Sequence, residues 1–430
     1  MAKIKKTGIK WLPEIAEDFS VGFVKQYFNI SKDLSNEGEP ERVLKLARAG
    51  IVEKDVTTNE GQMATSYEGY NKVEIGDLML NPMDLYSGAN CNVSELNGVI
   101  SPAYSNLRAK DKSSLCPKYY DYYFKTQYWT MAMFAHGKGV SFDNRWTLNN
   151  DALKSYEIPV IPYEKQKAIV SAIESKTTKI DSLIANEEKQ IEKLKSYKQS
   201  LITETVTKGL DKNAKMKDSG VEWIGEIPEG WECKKLKYIA NSFSKGSGIT
   251  KEDIVQNGDI PCVRYGEIYT KYNIKFDKCE TKTNLELNST PQYFSHGDIL
   301  FTCTGELVEE IGKSIVYLGN EYCLAGGDIV VMKHSQNPKF MGYAVSSWYA
   351  QEQKGRGKAK LKVVHTSASA LGNIYILLPP ESEQEYIANF LDEKCTQIDK
   401  LISLKESKIE KLNAYKKSLI YEYVTGKKEA

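Results

Sequence analysis

The sequence lacks the spacings on which most catalytic and metal-binding proteins depend. Its eight cysteines, Cys91, Cys116, Cys233, Cys262, Cys279, Cys303, Cys323 and Cys395, never form a Cys-x-x-Cys pair, and the four histidines do not cluster with them. That scatter argues against a zinc site and for reduced thiols in a cytoplasmic protein. No apolar run approaches the roughly 20 residues that span a bilayer. The basic amino terminus is followed by no apolar stretch, so it is not read as a signal peptide, and a soluble chain with no membrane partner is expected. The net charge is only +1, so any basic surface must be local.

Chemical motifs are also missing. Gly305 to Gly312-Lys313-Ser314 ends like a phosphate-binding loop, but six residues separate its glycines where the loop needs four. It is read as a turn between strands. Asn81-Pro82-Met83-Asp84 and Ser101-Pro102-Ala103-Tyr104 lack the second proline of an amino-methyltransferase site. Glu174-x-Lys176 and Glu406-x-Lys408 lie on charged helical faces, where such pairs are solvated surface. No catalytic residue and no metal ligand is assigned.

What is present is a long internal repeat. Pro162 to Thr207 matches Pro380 to Thr425 without a gap at an offset of 218, with roughly half the positions identical. Ile180-Asp181, Leu183-Ile184 and Ile191-Glu192-Lys193-Leu194 return as Ile398-Asp399, Leu401-Ile402 and Ile409-Glu410-Lys411-Leu412. Each copy reads as one helix free of internal Pro and Gly. Ile180, Ile184, Ile191, Leu194 and Leu201 fall on alternating spacings of four and three, and Ile398, Ile402, Ile409, Leu412 and Leu419 repeat them. Glu187, Lys198, Lys405 and Lys416 are the polar exceptions in the same register. A narrow apolar stripe flanked by Lys and Glu suits a helix that buries one face against another helix. Two matching stripes favour mutual pairing over separate packing.

The repeat unit is larger than the helix. Gly8-Ile9-Lys10-Trp11-Leu12 resembles Gly220-Val221-Glu222-Trp223-Ile224, so each half begins with a lead. Two bodies of similar length but different sequence follow, Ser20 to Ile161 and Glu232 to Pro379. They share Gly76-Asp77 with Gly297-Asp298, and Gly137-Lys138-Gly139 with Gly355-Arg356-Gly357. Before each Gly pair runs an aromatic segment expected to be helical, Tyr119 to Phe134 and Phe340 to Gln353. After it comes a short strand into proline. Short β-branched runs elsewhere suggest sheet, and Asp211 to Ser219 reads as a solvated linker.

The whole layout resembles the DNA-specificity subunit of a type I restriction–modification enzyme. The resemblance rests on Ile161-Pro162 with Gln166, Pro379-Pro380 with Glu383-Gln384, and the doubled blocks at Ile180, Ile398, Ser200 and Ser418. Gly297-Asp298-Ile299-Leu300-Phe301 with Thr304-Gly305, and the lead to Trp231, also match. The first copy departs at Lys165-Gln166 and at Pro13. The resemblance implies an α+β fold: two α/β target-recognition domains with twisted sheets, separated by two long helices in an antiparallel coiled coil with pseudo-twofold symmetry. The expected divisions are residues 1–161, 162–208, 209–231, 232–379 and 380–430.

The resemblance also implies double-stranded DNA as ligand, at an asymmetric bipartite site. Its implied partners are two methyltransferase subunits and, through them, restriction and translocase subunits. S-adenosylmethionine, Mg2+ and ATP are expected on those partners, and no cofactor on this chain. The helical stripe supplies a ruler: Ile180 to Leu201 spans roughly 33 Å at about 1.5 Å per residue, close to the roughly 34 Å of one DNA turn.

Candidate DNA contacts come from the residues themselves. Lys354, Arg356, Lys358, Lys360 and Lys362 form the densest basic run, broken by glycines that permit close approach to phosphates. In the first body they are Arg108, Lys110, Lys112, Lys138, Asn144, Arg145 and Asn149, types that can also read base edges. Two other readings stay open. One is a coiled-coil scaffold joining two protein-binding domains without DNA, and the other is a self-contained DNA methyltransferase.

Overall fold

The computed structural model describes residues 3–47, 50–56, 64–83, 85, 90–139, 146–284, 291–305, 307–356 and 364–430. The chain divides into two compact units, Met1–Glu187 with Glu406–Ala430, and Glu188–Lys405. The two repeats are single helices, Tyr163–Lys208 and Glu381–Val424. Each helix gives one half to each unit, so the first unit is closed by the chain's last 25 residues while the second is one continuous stretch.

In the first unit the lead folds as a hairpin, Ile4–Ile9 against Leu12–Ala16. One antiparallel sheet orders its strands Phe28–Ser31, Ser105–Ala109, Leu78–Leu80, Cys91–Val93. A second sheet runs Gly50–Glu53, Val43–Ala47, Gly98–Ile100, Asn71–Val73, with the Val43–Ala47 and Gly98–Ile100 strands parallel. The aromatic helix Pro117–Trp129 buries Tyr119, Tyr120, Tyr123 and Phe124 against Leu78, Leu80, Cys91 and Leu107. Ile169, Ile173 and Ile180 of the first long helix join this core, as do Leu419, Ile420 and Val424 of the second. The Tyr119 hydroxyl donates to the Val424 carbonyl at 2.7 Å, and Ala16 N to the Thr425 carbonyl at 2.9 Å.

The second unit repeats the plan with different strands. Its lead is the hairpin Met216–Asp218 with Glu226–Pro228. A five-stranded sheet runs Ala240–Lys245, Ile329–His334, Ile299–Thr302, Ser314–Tyr317, Lys275–Phe276. A four-stranded sheet runs Thr281–Thr283, Ile260–Val263, Cys323–Ala325, Tyr293–Phe294. Helices Pro338–Ser346 and Trp348–Gly355 cover the larger core, to which Ile202, Val206, Ile387, Ala388 and Leu391 contribute from the long helices.

Inside each unit the two helical segments lie side by side and antiparallel. In the first, Lys416 Nζ meets Asp181 at 2.6 Å and Lys408 Nζ meets Glu187 at 2.7 Å. In the second, Lys198 Nζ meets Asp399 at 2.6 Å, and Lys405 Nζ hydrogen-bonds Gln190. As the number on one helix rises, its partner's falls. The ten stripe residues are buried or half-buried, with Ile180, Ile191, Ile398, Ile402 and Leu419 the most enclosed. The polar exceptions of the stripe are thus where its cross-helix polar contacts form.

Three local expectations need correction. The linker Asp211 to Ser219 contains the strand Met216–Asp218, held by the lead's second strand. The segment Phe340 to Gln353 is two helices, because Ser347 stops the first and caps the second through Ala350 N. The helix over Tyr119 to Phe134 ends at Trp129; Met131 has φ 60°, which no α-helix accommodates.

Candidate nucleic-acid interface

The diverged bodies still share two supports. Gly76 and Gly297 both take the left-handed backbone, at φ 92° and 88°, which favours glycine. The next residue closes the turn. Asp77 Oδ2 accepts from Glu74 N at 2.9 Å, and Asp298 Oδ2 from Ser295 N at 2.8 Å. Each turn then releases a fully buried strand.

Gln166 and Gln384 are the second support, 218 apart and almost wholly buried. Gln166 Oε1 accepts from Cys116 N at 2.7 Å while Nε2 donates to the Ile161 carbonyl at 2.9 Å. Gln384 Oε1 accepts from Asn337 N at 3.1 Å while Nε2 donates to the Pro379 carbonyl at 3.0 Å. Cys116 and Asn337 are the caps of the aromatic helices. Each glutamine therefore ties the start of a long helix to the start of the helix that covers its own body. A shorter or charged side chain would leave buried backbone groups unpaired.

The proposed DNA contacts fall into three groups. Some are already spent on structure. Arg108 lies on the strand Ser105–Ala109 and forks onto Asp77 at 2.9 and 2.7 Å, with Glu74 at 3.0 Å. Donating to the Asp77 carboxylate pushes the guanidinium pKa up, against a smaller effect of burial. Asn149 caps the helix Asn150–Lys154 through Ala152 N. Lys354 is 4% exposed; its Nζ donates to the Val345 carbonyl at 2.7 Å and Ser314 Oγ at 3.2 Å. Burial holds that ammonium down to about 7. Lys354 is therefore corrected from a phosphate contact to an interior residue, since the last turn of its helix turns inward.

Others remain at the surface. Lys110 and Lys112 are exposed; Lys110 donates to the Lys25 carbonyl at 2.7 Å, and Lys112 stands 3.5 Å from Glu74. Lys138 is exposed, and its backbone bridges Thr147 in both directions. Arg356 is exposed, with its guanidinium 4.1 Å from the Trp223 ring centroid. The third group, Asn144, Arg145, Lys358, Lys360 and Lys362, lies outside the described residues. Lys25 and Lys237, 212 apart like the leads, are also exposed lysines at matching positions. The lead alignment, carried a few residues further, brings them into register.

Among the described residues, no group of three or more His, Cys, Asp or Glu side chains could hold a metal ion. All eight cysteines are free thiols. No helix among the described residues is long and apolar enough to cross a membrane.

These features define a duplicated protein: two sheet-based units, each with a lead hairpin, sharing two repeated long helices. Residues 228–414 match the family described as "Type I restriction modification DNA specificity domain". Over most of its length the chain is similar to specificity subunits of type I restriction enzymes. It is 26% identical over 388 residues to the type I restriction enzyme MjaVIII specificity subunit of Methanocaldococcus jannaschii, covering 88% of this chain and 81% of that one. The putative MjaX specificity subunit of the same organism is 28% identical over 291 residues, 66% of this chain and 62% of its own length. Among solved structures, a chain from a type I R-M system matches with TM-score 0.68 at 13% identity, over 95% of this chain and 98% of that one. The HsdS subunit from Thermoanaerobacter tengcongensis matches with TM-score 0.50 at 13% identity, over 98% and 99%. At that identity the two likenesses concern the fold.

Proposed function

We propose that this chain is the non-catalytic DNA reader of a cytoplasmic type I restriction–modification complex. Each body reads one half of an asymmetric bipartite site in double-stranded DNA. The helices dock two methyltransferase subunits, which carry S-adenosylmethionine and, with the restriction and translocase subunits, Mg2+ and ATP. The observation that carries this reading is the contrast within the repeat. Helical contacts recur at the 218 offset, whereas the bodies differ in sequence and strand order. Two unlike readers on a repeated scaffold suit two unlike half-sites and two copies of one partner.

Surface exposure supports the docking assignment. Leu183 and Leu401, one repeat apart, are each 48% exposed, and Tyr197 and Tyr415 are 59% and 54% exposed. Retained apolar side chains with no intramolecular reason to stay apolar fit a partner surface. Lys110, Lys112, Lys138 and Arg356 remain as DNA contacts, with the five basic or amide residues outside the described segments.

The test is co-expression with a type I methyltransferase subunit from the same genome, followed by mapping of methylated sites. One bipartite sequence is expected. Replacing residues 20–161 with the body of a related subunit should change one half-site and leave the other. A change in both halves would show that the bodies do not read independently. A complex that binds no DNA at any salt concentration would favour the scaffold reading. Binding of S-adenosylmethionine by the isolated chain would favour the self-contained methyltransferase.

A further inference from the structure

Each lead hairpin ends in a tryptophan, and in both units that tryptophan meets the same point of the body. In the second unit Trp223 lies in the turn between Met216–Asp218 and Glu226–Pro228, closed by Ser219 N on the Gly225 carbonyl at 3.0 Å. Tyr349 stacks on Trp223 at 5.6 Å and 26°, Tyr375 meets it edge-on at 6.2 Å, and the Arg356 guanidinium sits 4.1 Å from its centroid. Gln353 fixes this nest by bonding both backbone groups of Tyr375, at 2.7 and 3.0 Å.

In the first unit Trp11 occupies the turn between Ile4–Ile9 and Leu12–Ala16. His136 lies against it at 4.1 Å and 87°, and Tyr156 stacks on it at 5.9 Å and 27°. His136 immediately precedes Gly137-Lys138-Gly139, and Arg356 lies inside Gly355-Arg356-Gly357. Tyr156 and Tyr375 both border the last strand before the long helix. Two bodies that share little sequence thus place a lead tryptophan beside the first residues of the glycine-flanked basic segment. Recurrence in both halves argues against an accident of packing in either.

We infer that Trp11 and Trp223 are positioning residues, Trp223 holding the Arg356 guanidinium and Trp11 holding His136, and with it the turn that carries Lys138, in place for DNA reading. The inference rests on the functional reading given above. The chemistry is clearest at Trp223. A guanidinium stacked on an indole face gains cation–π attraction while its N–H edge stays directed outward. That edge is what donates to a phosphate or to guanine, and a fixed plane loses less freedom on binding than a free side chain. At Trp11 the anchored group is the imidazole of His136, with Lys138 two residues further on.

The experiment uses the full methyltransferase complex, with Trp223→Leu, Trp223→Phe, Trp11→Leu and Trp11→Phe. Methylation rates are measured on duplexes altered in one half-site or the other. Trp223→Leu should reduce discrimination at the second half-site about tenfold and leave the first unchanged. Trp11→Leu should do the reverse. The Phe variants, which keep an aromatic face, should recover most of the loss. Equal loss at both half-sites, or Leu performing as well as Phe, would overturn the inference. If a Leu variant does not assemble, Arg356→Gln on the exposed side decides: a loss confined to the second half-site supports the inference, and no loss sinks it. A wild-type complex that modifies no bipartite sequence would refute the functional reading instead, before any variant is compared.

Discussion

Lys198 and Asp399 are bonded at 2.6 Å across the two long helices, and their repeat counterparts, Lys416 and Asp181, are bonded at the same distance. Adding 218 to Asp181 gives Asp399, and adding it to Lys198 gives Lys416. The two ion pairs are one contact made twice, once inside each unit. They also fix register, because sliding one helix by a turn would place each lysine beside a different residue. The Glu187–Lys408 pair and its counterpart, Lys405 with Gln190, obey the same rule with altered chemistry.

Charge reversal at Asp399 to Lys should therefore destabilise the chain by on the order of 1–3 kcal/mol, since Lys198 is nearly buried and would face a like charge. Combining it with Lys198→Asp should restore most of that loss. Urea unfolding of the singles and the double measures the coupling. An additive double would show that the pair does not set the register.

The partner surface is open to a similar test. Glu192 and Glu410 are exposed repeat counterparts on the faces turned away from the stripe. Reversing both to Lys should weaken co-purification with the methyltransferase at moderate salt and leave the unfolding midpoint unchanged. Replacing Leu183 and Leu401 with Asp should have the larger effect, because apolar contact survives salt where charge pairing does not. Unchanged co-purification in both variants would remove these faces from the interface.

Much of this organisation is legible in the sequence, and the parts that are not have a common cause. The long helices are legible because Ile180 to Leu201 repeats its own spacing and contains no breaker. The Gly76 and Gly297 turns are legible because both need a left-handed residue. The parallel pairing of Val43–Ala47 with Gly98–Ile100 is not, since it depends on residues more than fifty positions apart. In sequence Lys354 looks like a loop cation because two glycines follow closely. Its fate is decided by the Val345 carbonyl and Ser314, which only the folded chain brings near. The pairing of Arg108 with Asp77 is hidden for the same reason, as Asp77 lies 31 residues away.

Acid should loosen the second unit selectively. Burial pushes the His334 imidazole down to about 4, and its Nε2 is enclosed with no hydrogen-bond partner. The unfolded chain holds this group near 6.5, so below that pH it takes up a proton that the folded chain refuses. Stability is complete above about 6.5 and falls as the pH drops towards 4, by up to roughly 3 kcal/mol. Urea midpoints at pH 7 and pH 5 should differ more in the parent than in His334→Gln. Equal differences would assign the acid sensitivity elsewhere.

A fragment ending near Lys215 keeps one body and one long helix but lacks Leu419, Ile420 and Val424, which fill its core. Each such side chain, fully buried, contributes about 1.5–3 kcal/mol. A second copy can supply Leu201, Ile202 and Val206 in their place, with Lys198 of each copy reaching Asp181 of the other. A symmetric dimer is expected, weakened by two Glu187 residues where the parent has Glu187 and Lys405. With methyltransferase it should modify an inverted repeat of the first half-site. Sedimentation at tens of micromolar decides; a strict monomer would count against helix pairing as the organising contact.

The bond from Tyr119 to Val424 also sets an order of events during synthesis. All of Glu188–Lys405 exists before the last 25 residues are made, yet Met1–Glu187 cannot close its core without them. At about 5–20 residues per second, the intervening 218 residues occupy the ribosome for roughly 10–40 s. Through that interval the half made first waits with an open aromatic face, while the half made second can finish. The amino-terminal reader is therefore the last to mature, and a chain cut short near its end fails at its beginning.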